Sequence, residues 1–157
     1  MGEQPTSPLP RGSLGVVGDA IGLVVDEVSP DRMRVRWNVT AAVHQPDGIL
    51  HGGIHSWVVE TVASVAAAGW FGDQGQVVGV TNSTDFFRAV RDGQLTSTGT
   101  PLHRGRSQQV WVVETRDDAG RLVARGQVRL QNLARPAAAA ASSGAASAAQ
   151  SGAPDAR

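Results

Sequence analysis

The apolar positions of the chain change regime twice. From Ile54 to Phe71 nearly every residue is Ile, Val, Ala, Trp or a small hydroxyl residue. Ile54, Val58, Thr61, Val65 and Ala68 recur at helical spacing, and Val59, Val62, Ala63 and Ala66 fill the other side. The stretch therefore predicts a helix that is apolar nearly all round, the pattern of a buried helix. Before it, Ile21 to Val28 is apolar and β-rich and predicts a first strand. Ser29-Pro30-Asp31 marks a turn. Met33, Val35, Trp37 and Val39 then alternate with Arg34, Arg36 and Asn38, the signature of a half-buried strand. A polar loop, His44 to Gly48, leads into the helix, and Gly72 supplies its stop.

After the helix the spacing is that of strands: Gln76 to Phe87, Leu95 to Leu102, Arg106 to Thr115, and a last strand carrying Leu122, Ala124, Val128 and Leu130. Asp92-Gly93 and Asp117-Asp118-Ala119-Gly120 are turn signals between them. Val110-Trp111-Val112-Val113 is apolar on both faces, which predicts a central position. Strands joined by short connections form an antiparallel sheet. One long helix packed on such a sheet is an α+β architecture with about six strands.

Composition narrows the function. The 157 residues suffice for one ordinary domain. Residues 1–12 are Pro- and Gly-rich and predict a disordered leader, 13–135 the folded domain, and 136–157 a disordered Ala/Ser/Gly-rich tail. The 14 basic and 14 acidic residues cancel. No basic stripe marks a nucleic-acid partner. There is no Cys, so disulfides, thiol catalysis and thiolate metal sites are excluded. No apolar signal-peptide core and no run near the ~18 apolar residues of a membrane span are present. The expectation is a cytoplasmic protein with no membrane partner, no metal and no cofactor.

Within the apolar helix, Glu60 is the only formally charged side chain. A buried carboxylate is costly unless it is paired or has a task. Ser56 and Ser64 lie four residues to either side and share its face. Gly52 and Gly53 open the helix and leave free N–H groups at its positive end. An oxyanion site and a carboxylate on one element point to acyl-transfer chemistry.

Three segments carry a resemblance. The first is Gly48-Ile49-Leu50-His51-Gly52-Gly53 with Glu60 nine residues after His51. The second is Asn82 through Phe86-Phe87-Arg88, followed by Asp92-Gly93. The third is Leu102-His103-Arg104-Gly105-Arg106, followed by Asp117-Asp118-Ala119-Gly120-Arg121. In that order they resemble the hotdog-fold acyl-CoA thioesterases, most closely the phenylacetate-degradation type that includes the Glu-dependent 4-hydroxybenzoyl-CoA thioesterases. The likeness runs from Gly15 to Asn132. It implies a hotdog fold, with the long helix wrapped by the antiparallel sheet.

The resemblance also implies roles. The Glu at the position of Glu60 attacks the thioester carbonyl or activates water to do so. The N–H of Gly52 points at the developing oxyanion, and Gln45 assists at the carbonyl. Ser64 orients the carboxylate or the water. His51 either helps polarise the carbonyl or only shapes the loop. Gly53, Trp57 and Phe86 line the substrate, and Arg88, Arg104, Arg106 and Ser107 meet the phosphates of CoA. His55 and His103 read as surface or packing residues. Relatives in the enterobactin and menaquinone pathways carry His where this chain has Phe86, yet share Gly105-Arg106. The 4-hydroxybenzoyl branch shares Phe86-Phe87-Arg88 instead. The acyl group, aryl or medium-chain, therefore stays open. The assembly implied is a homodimer with its sites across the subunit junction, pairing into a homotetramer. The competing reading is a non-catalytic acyl-CoA-binding hotdog protein.

Overall fold

The structure is a computed structural model that describes Leu9 and residues 12–135. The predicted tail and most of the predicted leader lie outside the described residues. A short helix α1 (Gly15–Ala20) precedes two strands, β1 (Val24–Ser29) and β2 (Arg32–Val39). The long helix α2 (Gly52–Phe71) follows, then β3 (Gly75–Phe86), β4 (Gly93–Arg104), β5 (Gln108–Asp117) and β6 (Leu122–Ala134). The six strands form one sheet in the order β1-β2-β4-β5-β6-β3, every neighbouring pair antiparallel. This is the hotdog arrangement, with β5 central as its double-sided apolar pattern predicts.

Two elements differ from the sequence expectation. The apolar run that begins at Ile21 splits at Gly22, whose φ of 61° lies in the left-handed region. Ile21 therefore buries in the turn after α1, its carbonyl accepting from Asn38 N–H at 2.9 Å, and β1 starts only at Val24. Helix α1 itself has no sequence signature: two of its six residues are Gly, and Val16 stays 84% exposed.

α2 lies across the sheet on a bed of glycines. Met33, Gly99, Val113, Gly126 and Thr84 form one cross-strand row. A Cβ at Gly99 would come within 2.7 Å of Val62, and one at Gly126 within 2.5 Å of Val59. The bare backbone lets the helix sink until Val58, Val59, Val62, Ala63, Ala66 and Ala67 are fully buried against Trp37, Met33, Leu95, Trp111 and Leu130. Burying a side chain of Val or Leu size gives about 1.5–3 kcal/mol.

The helix does not use all of its apolar surface within one chain. Ile54, Trp57, Thr61, Ser64 and Val65 are half-buried, and Ala68 and Gly69 are exposed. On the neighbouring edge strand β3, Val78, Val80 and Phe86 are exposed, as is Phe87 just beyond it. Among the described residues the outer edge of β3 has no strand partner. An apolar helix side beside an unpaired apolar edge is the kind of surface that a second chain covers.

Candidate active site

The loop before α2 is pinned as a small hairpin. His51 N–H donates to Val43 O at 2.9 Å, Gln45 N–H to Ile49 O at 2.8 Å, and Leu50 N–H to Val90 O at 2.7 Å. Gly48 turns the chain with a φ of 69°. This holds His51 at the helix N-cap, where Nδ1 accepts from Gly53 N–H at 2.8 Å. Nδ1 is therefore the acceptor that caps the helix. Ile54 N–H donates to His51 O at 3.0 Å. Gly52 N–H is left without a partner among the described residues, at the positive end of a 20-residue helix. A Cβ on Gly52 would come within 2.9 Å of the Phe86 ring, so glycine is what lets that ring lie over the helix start.

Glu60 sits two turns further on. It is half-buried, less enclosed than an all-apolar helix predicts, because its side chain leaves α2 toward the sheet edge. Ser64 Oγ donates to Glu60 Oε1 at 3.3 Å. The carboxylate lies across the backbone of Gly79 on β3, and a Cβ at Gly79 would overlap Glu60 Oε1. The register of β3 against β6 shifts between Gly79 and Thr81. That bulge changes the parity of the strand, so that Gly79, Asn82, Thr84 and Phe86 all turn toward α2. Asn82 Nδ2 donates to Ser56 O at 2.9 Å, and Thr84 Oγ1 donates to Asn82 Oδ1 at 2.8 Å. Glu60 is thereby held over the open edge.

Eight helical residues at ~1.5 Å each separate Glu60 from Gly52 by roughly 12 Å. Within one chain, then, the carboxylate and the free N–H do not meet around one carbonyl. Gln45 is half-buried in the hairpin, below the helix start.

The predicted cations fall at both ends of α2. Exposed Arg88 follows β3 at the Phe86 end, where its N–H and that of Phe87 donate to Val123 O. Arg104 is at the other end, over the Trp70 ring at 5.4 Å, with Nη1 donating to Asp31 Oδ1 at 2.7 Å and Pro30 O at 2.9 Å. Exposed Arg106 and Ser107 stand beside it, their carbonyls held by Asn132. A 20-residue helix spans about 30 Å, so these two groups of cations do not converge in one chain. Trp57 packs toward α1, where a Cβ on Gly18 would lie 3.5 Å from its ring.

One residue given no role in the sequence lies buried near the helix start, under Phe86. His55 is 3% exposed, between Trp37 (ring centroids 5.6 Å apart, edge-on) and Phe86 (5.7 Å). Its Nδ1 is buried without a hydrogen bond. Burial pushes its pKa down to about 4, so it is neutral. The signal that finds it is spacing: His55, Val58, Val59, Val62 and Ala66 form the buried stripe of α2.

A groove of about 570 Å³ lies on the other face of the sheet, among Arg34, Thr96, Thr98, Glu114 and Arg116, away from Glu60. Among the described residues no three His, Asp or Glu side chains gather so as to hold a metal ion, and no helix is long and apolar enough to cross a membrane.

A family model described as "Thioesterase superfamily" matches residues 47–124, from the turn of the hairpin through α2 and β3 to β5 and the start of β6. The Mycobacterium tuberculosis protein Rv1847 is 45% identical over 140 residues, covering 87% of this chain and 100% of its own. The proofreading thioesterase EntH of Cronobacter sakazakii is 35% identical over 109 residues, covering 69% and 80%. Among solved structures, that of AziG from S. sahachiroi superposes with a TM-score of 0.75 at 59% identity, covering 78% of this chain and 99% of that one.

Proposed function

This chain belongs to the thioesterase superfamily, and from that premise we propose that it hydrolyses an acyl-CoA, aryl or medium-chain, to the free acid and CoA in the cytoplasm. The reading is that of the Glu-dependent type. A single observation carries it: the Glu60 carboxylate is held by Ser64 over the unpaired β3 edge, while the free Gly52 N–H lies at the far end of the same stretch of strand.

Glu60 crosses β3 at Gly79 and Gly52 crosses it at Phe86. A second copy pairing antiparallel along this edge, about a two-fold axis near Asn82 and Ser83, would bring Gly79 of one subunit opposite Phe86 of the other. That arrangement brings Glu60 to Gly52 of the second copy and covers the apolar edge and the open side of α2. It also gathers Arg88 of one subunit with Arg106 and Ser107 of the other at the mouth of a shared site. A C2 pair has two such sites; two pairs would form the tetramer.

In each site the thioester oxygen accepts from Gly52 N–H, with Gln45 beside it. Glu60 acts in one of two ways. As a base it takes a proton from water, whose oxygen bonds to the carbonyl carbon. The tetrahedral oxyanion collapses, the C–S bond breaks, and the thiolate of CoA takes the proton back from Glu60. As a nucleophile its own oxygen bonds to the carbon, CoA leaves, and water then cleaves the resulting anhydride. Losing one oxyanion donor costs about 2.7–4 kcal/mol of barrier, and acid–base assistance contributes about 10²–10⁴-fold.

The test is thiol release from a panel of acyl-CoAs, read with a thiol-reactive dye. Wild-type protein should turn over at least one, and Glu60→Gln should lower kcat by about 10²-fold or more with the fold intact. Tight binding of acyl-CoA without thiol release would instead favour a non-catalytic binding protein.

A further inference from the structure

A buried chain of hydrogen bonds runs from the middle of the sheet to the turn between β4 and β5. It begins at Trp111 Nε1, which donates to Gln109 Oε1 at 2.9 Å. Gln109 Nε2 donates to Asn132 Oδ1 at 2.8 Å and to Ala67 O on α2 at 3.3 Å. Asn132 Nδ2 donates to Gly105 O at 3.0 Å and to Arg106 O at 3.3 Å. Both ends are fixed by their chemistry: an indole nitrogen only donates, and a peptide carbonyl only accepts. Each amide between them therefore has one orientation, with the Asn132 donors aimed at the turn. Trp111 and Gln109 are fully buried, and Asn132 is 7% exposed. A buried polar network in which every member is satisfied rigidifies one geometry.

The geometry fixed here is that of the turn. Asn132 takes three successive carbonyls, those of Gly105 and Arg106 through its side chain and that of Ser107 through its own N–H at 2.8 Å. A trans peptide points its N–H opposite its C=O, and among the described residues no peptide is cis. The N–H groups of Arg106 and Ser107 therefore face away from Asn132, and neither has a partner among the described residues. Successive N–H groups on the outside of a turn make an anion-binding concavity. Arg104, just before the turn, is tied to Asp31 and Pro30. Arg106 and Ser107 are exposed, and their side chains make no hydrogen bond or ion pair among the described residues.

We propose that Asn132 is a positioning residue of the CoA site. Its amide, oriented by Gln109 and Trp111, holds the β4–β5 turn in the shape that offers two N–H groups, the Arg106 guanidinium and the Ser107 hydroxyl to a phosphate of CoA. Asn132 touches neither the substrate nor the reacting atoms and acts through the turn alone. This rests on the acyl-CoA reading of the site but names the buried device that shapes its phosphate end.

Calorimetry with CoA and with pantetheine, which lacks the nucleotide and its phosphates, reads the turn without any chemistry. Thiol release from the best acyl-CoA of the panel, and from the same acyl group on pantetheine, reads it in turnover. Wild-type protein should bind CoA about tenfold or more tighter than pantetheine. Asn132→Asp keeps the size and the acceptor for Gln109 but loses both donors; Asn132→Leu loses them without adding a charge. Each should weaken CoA binding and raise KM for the acyl-CoA about tenfold, with kcat and the acyl-pantetheine KM held within about twofold. A residue that only supported the fold would move the melting temperature and not that split. Arg106→Gln should cost less affinity for CoA in the Asn132→Asp background than in wild type, because the turn it relies on is already lost. CoA bound no tighter than pantetheine, undiminished CoA affinity in a folded Asn132 variant, or an Arg106→Gln loss that adds in full overturns the proposal while leaving hydrolysis standing. Asn132-dependent binding of CoA with no thioester turned over would sustain the proposal and defeat the thioesterase reading.

Discussion

Glu60 and Gly79 are matched in shape: the carboxylate occupies the space where any other residue at position 79 would carry its Cβ. The acid is the flexible end of its side chain, so an added methyl displaces Glu60 more readily than it displaces the strand. Gly79→Ala should therefore lower kcat by tenfold or more in order of magnitude, while the melting temperature hardly moves. Thiol-release kinetics and a thermal melt on the same preparation check both halves.

Gly99 and Gly126 are bare for a different reason. What a Cβ would strike there is Val62 and Val59, fully buried on the helix that the sheet supports. Neither can swing away. Gly99→Ala and Gly126→Ala should each cost about 1–3 kcal/mol by overpacking, measured by urea unfolding. Together with Gly79→Ala they separate a glycine that shapes the site from glycines that shape the core.

Stability should fall in acid through His55. Its folded pKa is about 4 against 6.5 for the free group, so on lowering the pH the unfolded chain takes up the proton first. The contribution is fully present above pH 6.5, is lost progressively down to about pH 4, and totals roughly 3 kcal/mol. Urea unfolding of the wild type and of His55→Leu across that range should show a difference in slope of up to about 1.4 kcal/mol per pH unit. Parallel profiles would mean that His55 is solvated or paired in the folded protein.

How far the sequence carries differs from element to element. α2 was legible because Gly52-Gly53 and Gly72 bracket an unbroken apolar run, β2 and β6 by their alternation, and β5 by an apolar run between turns. Local pattern says nothing of which strands lie at the edges: among the described residues these are β1 and β3, the first and the third strand in the chain. The bulge after Gly79, which turns Asn82, Thr84 and Phe86 toward the helix, has no signal beyond a Gly in a strand. His51 shows the same limit. The motif left it between chemistry and loop shaping, and the structure gives its Nδ1 the task of capping Gly53. His55 was hidden because a lone His in an apolar helix reads as packing until its empty Nδ1 is seen.

The β3 edge gives a geometric prediction. With Gly79 opposite Phe86, residue 83 of one copy faces residue 82 of the other, so the two copies of residue 83 lie within about one residue of each other along the junction. Copies of Gln76 lie seven residues from the axis on opposite sides, roughly 45 Å apart at ~3.3 Å per residue. The native chain has no Cys, so a single introduced thiol is unambiguous. A short bis-maleimide should link Ser83→Cys into dimers and leave Gln76→Cys monomeric on a denaturing gel. The reverse pattern would mean a different register or a different interface.

The central claim is that each site takes Glu60 from one chain and the carbonyl-binding loop from another, and mixing two dead proteins tests it. Glu60→Ala and Gln45→Ala are each prepared, shown to be severely impaired, then unfolded, mixed in equal amounts and refolded together. A mixed dimer has one site with both lesions and one with neither. Random pairing makes about half the dimers mixed, so about a quarter of wild-type activity should return. No recovery, with mixed dimers shown to be present by mass, would mean that each site is built within a single chain and would contradict the account.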